Sequence, residues 1–471
     1  MHGIFFVLPE IIISVMACLI LICDLFIKTR KYIVYYLSQI TLIITMSSLF
    51  HLINHNKSYL FNGAFVSDPF AVISKITILF MAIIIFIYSK KYMNYLSLFK
   101  GEYFVLCLLS ILGMMVMISS GSFLSLYLGL ELLSLPIYSL IIMNKNPISA
   151  EASMKYFIMG SIASGLFLFG VSIAYGMTSV LEFRSIASTI KDLEVYSDLT
   201  LQYGIVFIIS GLVFKFGAAP FHMWVPDVYE GSPIPVTLFI GTIPKIAALG
   251  MSYRLLIDAF SGLPLELEFL VMVVGTISLF IGNIFALSQT NIKRLLGYSA
   301  IAHVGFIFLG FLISRDEHLK IVIFYVMVYV FSSMGAFGII MALSSESNEA
   351  SFINDFKGFG ISKPILGITM LLFLFSLAGV PPTAGFYAKF FILKNLVYYG
   401  YIELALFAVI MSVIGAFYYL KVIKNMFFEK HESDIKTIGV SGLALFILFL
   451  NGMLILFIGI YPNIFLQLIK C

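Results

Sequence analysis

Long apolar segments separated by short polar connections run along almost the whole chain. A helix needs roughly 20 mostly apolar residues to cross a bilayer. By that criterion the sequence predicts about fourteen transmembrane helices, near residues 4–27, 32–53, 68–88, 102–119, 122–142, 152–176, 201–220, 234–257, 267–287, 295–313, 318–343, 363–396, 401–426 and 439–461. Because the connections are short, no extramembrane domain with its own core fits between them. The pattern therefore predicts an all-α integral membrane protein.

The composition agrees with this pattern, since 61% of the 471 residues are hydrophobic and only 11% are charged. Soluble domains are about half apolar and about a quarter charged, so soluble enzymes, secreted disulfide scaffolds and nucleic-acid-binding proteins are excluded. The net charge of +4 is spread over the loops rather than gathered into a basic patch, so it indicates no particular partner. The four cysteines, Cys18, Cys23, Cys107 and Cys471, lack the paired spacing of metal ligands, and no metal site is expected.

The distribution of Lys and Arg over alternate connections predicts the orientation in the membrane. One set of loops carries roughly twice as many positive charges as the other, and it holds Lys28, Arg30, Lys31, Lys90, Lys91, Lys100, Lys145, Lys293, Arg294, Lys357, Lys363, Lys424, Lys430 and Lys436. These loops should face inward and both termini outward. The longest outward loop, near residues 178–200, suits a short interfacial helix or a packed loop.

Four ionisable side chains lie inside predicted spans, where a charge costs at least about 2.5 kcal/mol. Glu131 is near the centre of the fifth span, Lys215 lies in the seventh, Lys245 near the middle of the eighth and Lys389 in the twelfth. Glu131 is too far from either end of its span to reach the headgroups. Such residues are candidates for ion or proton transfer, and the alternative is buried pairing that fixes helix packing.

Other ionisable groups are weaker candidates. Six of them lie within about two turns of a span end, where long side chains reach the headgroups, namely Glu10, Asp24, Lys75, Lys155, Arg254 and Lys421. Lys155 is kept as a possible relay because it begins the sixth span beside the inward end of the acidic fifth. His303, in the tenth span, is either a second possible relay, since histidine titrates near neutrality, or a packing residue. His51 and His55 have the spacing of a metal pair but no third ligand.

Two of the charged spans contain strong helix breakers. Gly217 and Pro220 follow Lys215, and a Gly-Val-Pro-Pro-Thr-Ala-Gly run precedes Lys389. Proline removes a backbone donor and clashes with the preceding turn. In a membrane the freed carbonyls are tolerated only against protein or a water-filled cavity. We therefore expect both lysines to lie beside water.

The two broken spans are five apart in the chain and so cross the membrane in opposite directions, which is typical of inverted repeats. The predicted organisation is an N-terminal three-helix segment (residues 1–100), a first antiporter-like repeat of helices 4–8 (101–260), a second, inverted repeat of helices 9–13 (261–430) and a C-terminal helix 14 (431–471). The alternative is that Gly and Pro are simply common in membrane helices.

Several sequence runs match one known family. They are residues 211–231, 232–237, 244–247, 291–299 and 379–390. These runs resemble the antiporter-like membrane subunits of respiratory complex I, the proton-pumping NADH:quinone oxidoreductase, whose relatives include subunits of multisubunit sodium/proton antiporters. The Val-Tyr-Glu-Gly run after Pro226 and Asp227, together with lysine rather than glutamate at position 389, resembles one of the three bacterial paralogues in this family. The resemblance covers the chain from about the fifth span to the thirteenth.

The resemblance implies a proton path and a set of partners. Glu131 would be the charged partner in the fifth span, Lys215 the pumping lysine, Lys245 the central relay and Lys389 the lysine near the exit side. Other membrane subunits of complex I, including an antiporter-like paralogue and small membrane subunits, would surround the chain. NADH, FMN, iron–sulfur clusters and quinone would belong to partner subunits. The chain itself should bind no cofactor, because its glycine clusters lie in spans and its cysteines are unpaired.

Two other classes of function remain open. A sodium/proton antiporter subunit of a multisubunit cation exchanger would use the same buried charges and broken helices. A structural subunit with a silent path would tolerate neutral substitutions of the lysines, but it would fail when packing glycines such as Gly160 or Gly165 are enlarged. The chain starts at a span and shows no targeting peptide, which indicates a bacterial plasma membrane or, alternatively, a mitochondrial inner membrane.

Overall fold

The computed structural model describes residues 2–26, 31–96, 98–192, 198–260, 265–313, 319–344, 349–429 and 441–468. Most of these residues are helical, as expected for a chain whose backbone must satisfy its own hydrogen bonds in lipid. The helices are α1 (His2–Phe26), α2 (Lys31–Phe50), α3 (Pro69–Tyr95), α4 (Gly101–Ile118), α5 (Phe123–Ile141), α6 (Pro147–Thr178), α7 (Phe183–Asp192), α8 (Leu199–Phe216), α9 (Trp224–Gly231), α10 (Ile234–Tyr253), α11 (Leu265–Leu287), α12 (Ile292–Leu312), α13 (Leu319–Leu343), α14 (Phe359–Ser362), α15 (Pro364–Ala378), α16 (Ala384–Tyr398), α17 (Ile402–Phe428), α18 (Gly442–Ile460) and α19 (Pro462–Leu468).

Thirteen of the described helices are long and apolar enough to cross a membrane. The predicted twelfth span is divided into two shorter helices, α15 and α16, and the seventh ends early at Phe216 before α9 begins at Trp224. These interruptions fall at the Gly- and Pro-containing runs that the sequence singles out. The predicted all-α membrane fold with broken seventh and twelfth helices is confirmed.

Two compact units can be distinguished in the chain. The first comprises Met1–Phe86, Phe99–Lys215 and Ile243–Leu270, and the second comprises Ile87–Leu98, Phe216–Thr242 and Val271–Cys471. In the first unit α5 packs closely on α4, because Gly113 of α4 lies directly against the backbone of Leu132 and Leu133. In the second unit α15 packs against α13, α17 and α18. The boundaries of the four predicted segments remain a prediction.

The connections of the first unit build a small extramembrane layer. Strands β1 (Ser58–Leu60) and β2 (Phe65–Ser67) form an antiparallel hairpin. Helix α7 covers the same side of the membrane, since it too connects spans that end there, and it buries Phe183, Ile186 and Ile190. The predicted short helix in this loop is thus present. We call the membrane face that bears the hairpin and α7 the hairpin face.

Three charged side chains that were expected to reach the headgroups are instead buried in ion pairs. Glu10 and Lys75 are 5% and 2% exposed and bind each other. Arg254, which is fully buried, donates to the Ile118 carbonyl at 2.8 Å and to Asp68 and Asp258, each at 2.7 Å. The expectation was wrong for these residues because neighbouring helices supply opposite charges, which satisfy them inside the protein. Lys421 is exposed, as expected.

Asp68 lies just before α3, outside the transmembrane segments, and its surroundings affect its ionisation. Burial alone disfavours the charged carboxylate, but the charge of Arg254 and the hydrogen bonds from Arg254 and the Ala71 amide outweigh it and lower the pKa of Asp68. Lys57 binds the other acid of this cluster, Asp258, at 2.9 Å. The cluster contains two basic and two acidic side chains and is therefore neutral overall.

Candidate functional site

Lys215 lies in the last turn of α8, immediately before the break in the predicted seventh span. Gly217 takes a positive φ of 70° there, and no helix forms over residues 217–223. The C-terminal end of a helix favours a positive charge, which suits the ammonium group of Lys215. The lysine is 4% exposed, and its Nζ donates to the hydroxyl of Ser134 on α5 at 2.7 Å. A buried lysine is therefore held by a neutral hydrogen-bond acceptor.

Glu131 lies one turn from Ser134 on α5 and is half-buried. Its Oε1 accepts a hydrogen bond from Ser164 of α6 at 2.5 Å. The expected partners Glu131 and Lys215 do not form a direct ion pair within the described ranges. Ser164 and Lys215 instead line one small cavity between α5, α6 and α8, which has room for about one water molecule. Glu131 is thus linked to this cavity through its hydrogen-bond partner Ser164, and Lys215 lines the cavity together with its own partner, Ser134.

Lys245 lies in α10, near the middle of the eighth span, and is 1% exposed. It follows Pro244, which lies inside the helix. Because proline has no N–H group, the carbonyl one turn earlier lacks its helical donor. Every residue of the most apolar stretch of this span is buried. The predicted relay position is therefore an ammonium group deep inside the first unit.

Lys389 lies on α16, just after the break in the twelfth span. Its Nζ donates to the Ala378 carbonyl, the last of α15, at 2.9 Å and to the Ser412 hydroxyl at 3.1 Å. The Nζ also lies 5.4 Å from the centre of the Phe306 ring, which favours a cation over its face. The break thus creates the site directly, since the helix end supplies an unpaired carbonyl to the lysine.

His303 of α12 lies in a buried network of hydroxyl groups in the second unit. Its Nδ1 is 2.8 Å from the Tyr325 hydroxyl and its Nε2 is 3.2 Å from the Tyr419 hydroxyl. Tyr419 also binds Ser299. A cavity with room for about one water molecule lies against His303, Tyr325 and neighbouring residues. Both interpretations of His303, as a relay and as a packing residue, are compatible with this geometry.

Lys155 is not brought to the cavity beside Lys215. Helix α6 begins at Pro147, earlier than the predicted position 152, so Lys155 lies about two turns inside it. Its side chain is 45% exposed and pairs with Glu151 at 2.7 Å. The suggested role of Lys155 as a relay remains a prediction.

Two of the sequence runs that carry the resemblance contact each other in the second unit. Arg294, at the start of α12, binds Asp227 at 2.6 Å and Glu230 at 2.9 Å on α9. Lys293 donates to the Ser232 carbonyl at 2.9 Å. These contacts anchor α9, the helix that follows the break in the seventh span. The run 211–231 therefore contains Lys215, and its contacts with the run 291–299 fix the position of α9, the next helix along the chain.

Gly379 and Gly165 give opposite expectations for substitution by alanine. Gly379 has a φ of +84°, and an added Cβ would lie 2.9 Å from Cδ of Lys389. A left-handed conformation costs a non-glycine residue roughly 1–2 kcal/mol, so Gly379→Ala should lower the free energy of unfolding by at least that amount and displace Lys389. An added Cβ at Gly165 of α6 would have no atom within 4 Å in the part of the chain that the structure describes, so Gly165 packs closely against no other described helix of this chain.

Thermal unfolding of the purified assembly tests this difference. The Gly379→Ala variant should unfold at a lower temperature than the wild type. Gly165→Ala should unfold at the wild-type temperature or slightly above it, because alanine favours a helix more than glycine does. Equal unfolding temperatures for the two variants would show that a Cβ atom at position 379 causes no strain in the backbone or against Lys389.

The fold and the buried lysines define a class of protein, the antiporter-type membrane proteins with interrupted helices. The chain matches the family described as NADH:quinone oxidoreductase/Mrp antiporter, TM, over residues 120–415. It is 44% identical over 464 residues to NADH-quinone oxidoreductase subunit N of Thioalkalivibrio sulfidiphilus, with 98% of this chain and 96% of that protein covered.

Two solved structures are also similar. A chain of respiratory complex I from Thermus thermophilus is 26% identical, with a TM-score of 0.83 and 98% of each chain covered. A chain of the Mrp complex from a Dietzia species has a TM-score of 0.86 at 18% identity, with 99% of this chain and 96% of that chain covered. At that level of identity the second match shows the fold alone.

The chain belongs to the subunit N family of the NADH-quinone oxidoreductases. It is thus a membrane subunit of that enzyme complex and a multi-pass protein of the bacterial plasma membrane. The family suggested by the sequence runs is confirmed. Among the described residues, no group of three or more His, Cys, Asp and Glu side chains is placed to hold a metal ion.

Proposed function

We propose that this chain translocates protons as a non-redox, membrane-arm subunit of NADH:quinone oxidoreductase. One observation carries the proposal: Lys215, Lys245 and Lys389 are 4%, 1% and 8% exposed. Lys215 and Lys245 lie in helices long and apolar enough to span a membrane, and Lys389 lies in α16, the second half of the broken twelfth span. Ionisable groups at such depth are costly and mark ion or proton pathways. NADH, FMN, iron–sulfur clusters and quinone would reside in partner subunits, whose redox chemistry would supply the energy.

The first step concerns Lys215 and its cavity. The carboxylate of Glu131 favours a protonated Lys215, although the two groups communicate through Ser164, Ser134 and the cavity rather than by direct contact. A movement of Glu131 away from the cavity would weaken that support and release the proton. Each tenfold change in proton affinity corresponds to about 1.4 kcal/mol, and a membrane potential of 100 mV opposes one charge by about 2.3 kcal/mol. A change of a few orders of magnitude in the proton affinity of Lys215 is therefore large enough to move a proton against a membrane potential of this size.

The later steps use the remaining lysines in the order that the family resemblance implies. Lys245 would receive the proton and Lys389 would pass it towards the exit side. The ammonium group of Lys389 is stabilised by the Ala378 carbonyl and the Ser412 hydroxyl. Both of these acceptors are neutral, so the lysine can release its proton without leaving a carboxylate unpaired. The imidazole of His303 and the hydroxyl groups of Tyr325 and Tyr419 would provide polar groups nearby for the transfer.

The substitution Glu131→Gln tests the first step. It removes the negative charge but keeps the side-chain size and a hydrogen-bond acceptor for Ser164. We expect a displaced pH profile of proton pumping in proteoliposomes that contain the whole complex, because Lys215 then holds its proton less tightly. Glu403→Gln, which alters an exposed acid at the start of α17, is the matched control and should retain the wild-type profile.

The same preparation separates two interpretations. If the Glu131→Gln profile coincides with that of the wild type, Glu131 does not act on Lys215. If an imposed sodium gradient alone drives proton flux through the reconstituted assembly, the sodium/proton antiporter interpretation replaces the redox-driven one.

A further inference from the structure

A cavity of about 570 Å³ lies in the first unit at the membrane face opposite the hairpin face. It is formed where α4 begins, α5 ends and α6 begins. Among the described residues that line it, none belongs to the proposed proton path. Its volume falls within the range of about 300–1,000 Å³ that is typical of ligand sites. The cavity is therefore large enough to hold a small molecule or the head of a lipid.

Charged side chains of both signs line this cavity without neutralising one another. Lys100, at the start of α4, is half-buried, and Lys145, between α5 and α6, is exposed. Glu102 lies in the first turn of α4 and is also exposed. Within the described ranges, none of these three side chains forms an ion pair with another residue. The cavity therefore offers two cations and one anion to a ligand.

A second acid strengthens the negative charge beside Glu102. The carboxylate of Asp24, near the end of α1, lies against Gly101, which precedes Glu102 in the chain. Two acids and two lysines thus lie around this cavity, and their charges balance. A purely anionic ligand would be attracted by the lysines but repelled by the acids. A ligand with one negative and one positive group is complementary to both.

The charged end of the cavity continues into an apolar surface that runs towards the middle of the membrane. On α4, Leu106 lines the cavity one turn deeper than Glu102. On α5, Leu135 lies one turn deeper than Ser139, on the same face of the helix, and is 54% exposed. A ligand that fits this surface has a charged head and an apolar tail. Phospholipids have this structure, and basic pockets between transmembrane helices are known to bind their headgroups.

We propose that this cavity binds a zwitterionic phospholipid with a primary ammonium group, of the phosphatidylethanolamine type. The phosphate accepts hydrogen bonds from Lys100 and Lys145, and the ammonium group donates to Glu102. The acyl chains lie along Leu106 and Leu135. A primary ammonium group has three N–H donors, whereas a trimethylated one has none, so Glu102 distinguishes the two headgroups. This binding site is independent of the proposed proton-translocating function.

Photoactivatable lipids in proteoliposomes that contain the whole complex test the proposal. The probes carry the same diazirine-bearing acyl chain and differ only in the headgroup: phosphatidylethanolamine, phosphatidylcholine or phosphatidylglycerol. After irradiation, mass spectrometry measures the lipid attached to residues 98–110 and 135–150. We expect the ethanolamine lipid to label these residues about three- to tenfold more than either other lipid, because the others lack a charged donor for Glu102.

A competition experiment distinguishes a lipid from a soluble phosphate compound. Glycerophosphoethanolamine has the same headgroup but no acyl chains, so it should not reduce the labelling. Efficient competition by this compound would overturn the proposal, since the apolar surface would then contribute nothing to binding.

Substitutions test the role of each charge. Glu102→Gln should abolish the preference for the ethanolamine lipid over the choline lipid, and Lys100→Gln/Lys145→Gln should lower labelling by all the probes. The control Lys421→Gln/Lys424→Gln, which alters two exposed lysines of α17, should retain the wild-type pattern.

The comparison of headgroups in the wild type needs no variant, so it holds even if a variant fails to assemble. Equal labelling by the three lipids, or a preference that persists in Glu102→Gln, would overturn the proposal. Absence of labelling by every probe would also overturn it, and would indicate that a partner subunit covers the cavity.

Discussion

Replacement of Lys215 by methionine is expected to lower the number of protons pumped per NADH oxidised while the complex remains assembled. Methionine fills a similar volume with flexible apolar atoms, so the space beside α5 stays occupied. Ser134 keeps a partner, because its hydroxyl donates to the Leu130 carbonyl at 2.6 Å. What is lost is the one ammonium group that lines the cavity between α5, α6 and α8. If pumping and electron transfer are tightly coupled, turnover slows instead.

The substitution Lys215→Arg provides the matched control for charge. A guanidinium group keeps the positive charge and its donors but does not give up a proton in proteins. The proposed function therefore predicts that Lys215→Arg fails to pump as Lys215→Met does. Both variants are assayed in proteoliposomes by simultaneous recording of NADH oxidation and internal pH. Full pumping by the arginine variant would show that a fixed charge is sufficient at this position, contrary to the proposal.

Replacement of Arg254 by methionine is expected to destabilise the chain by about 3–5 kcal/mol. Asp68, which is 5% exposed, loses its bidentate partner, and Asp258 loses one of its two cationic partners. Breaking a buried pair in this way leaves a charge without solvation. We expect little subunit in the membrane and a lower unfolding temperature for whatever complex assembles. If the Arg254 side chain merely reached the headgroups, its replacement by methionine would have almost no effect on stability.

The variant Lys57→Met is the matched control for Arg254→Met. Lys57 has a side chain 36% exposed and binds the same cluster through Asp258, which keeps Arg254 as a partner. An exposed pair of this kind contributes about 0–1 kcal/mol. Equal losses of stability in the two variants would show that burial of the cluster does not matter.

The pH dependence of this cluster follows from Asp68. Its pKa is lowered in the folded chain, so its contribution to stability is fully present above the unfolded value, about 3.9. That contribution disappears as the pH falls through the lower folded-state value. The difference in unfolding temperature between the wild type and Arg254→Met should therefore be constant near neutral pH and shrink only in acid.

The broken helices and the buried lysines could be predicted from the sequence because both depend on local features. Gly217 and Pro220 interrupt a helix wherever it lies, and Lys215 stands in an apolar run that must cross the membrane. The same argument applies to Lys389 and Gly379, whose run of glycine and proline produces the carbonyl that the lysine binds.

The hydrogen-bond partners of the lysines could not be predicted. Ser134, Ser164 and Ser412 belong to a residue type that is frequent in transmembrane helices and usually bonds to its own helix backbone. In the sequence, Tyr325 and Tyr419 look like the other aromatic residues of the transmembrane helices. Only the structure shows that both of their hydroxyl groups contact His303. No sequence signal distinguishes these hydroxyls from the many that have no role.

The buried ion pairs were missed for a different reason. The distance from a span end suggested that Glu10, Lys75 and Arg254 reach the headgroups. That criterion considers one helix at a time, whereas pairing depends on the neighbours: α1 meets α3, and Arg254 meets the residue just before α3. Which opposite charges form ion pairs can therefore be seen only in the three-dimensional structure.

Proton translocation through the buried lysines is tested by the ratio of protons pumped to NADH oxidised in the reconstituted complex in which Lys215, Lys245 and Lys389 are all replaced by methionine. Correct assembly is checked by the presence of every subunit in the purified sample. If the lysines carry the protons, the ratio will be lower than in the wild type, or turnover will be slower where coupling is tight. An assembled complex that pumps and turns over as the wild type does would contradict proton translocation through these lysines, and would assign this chain a structural role.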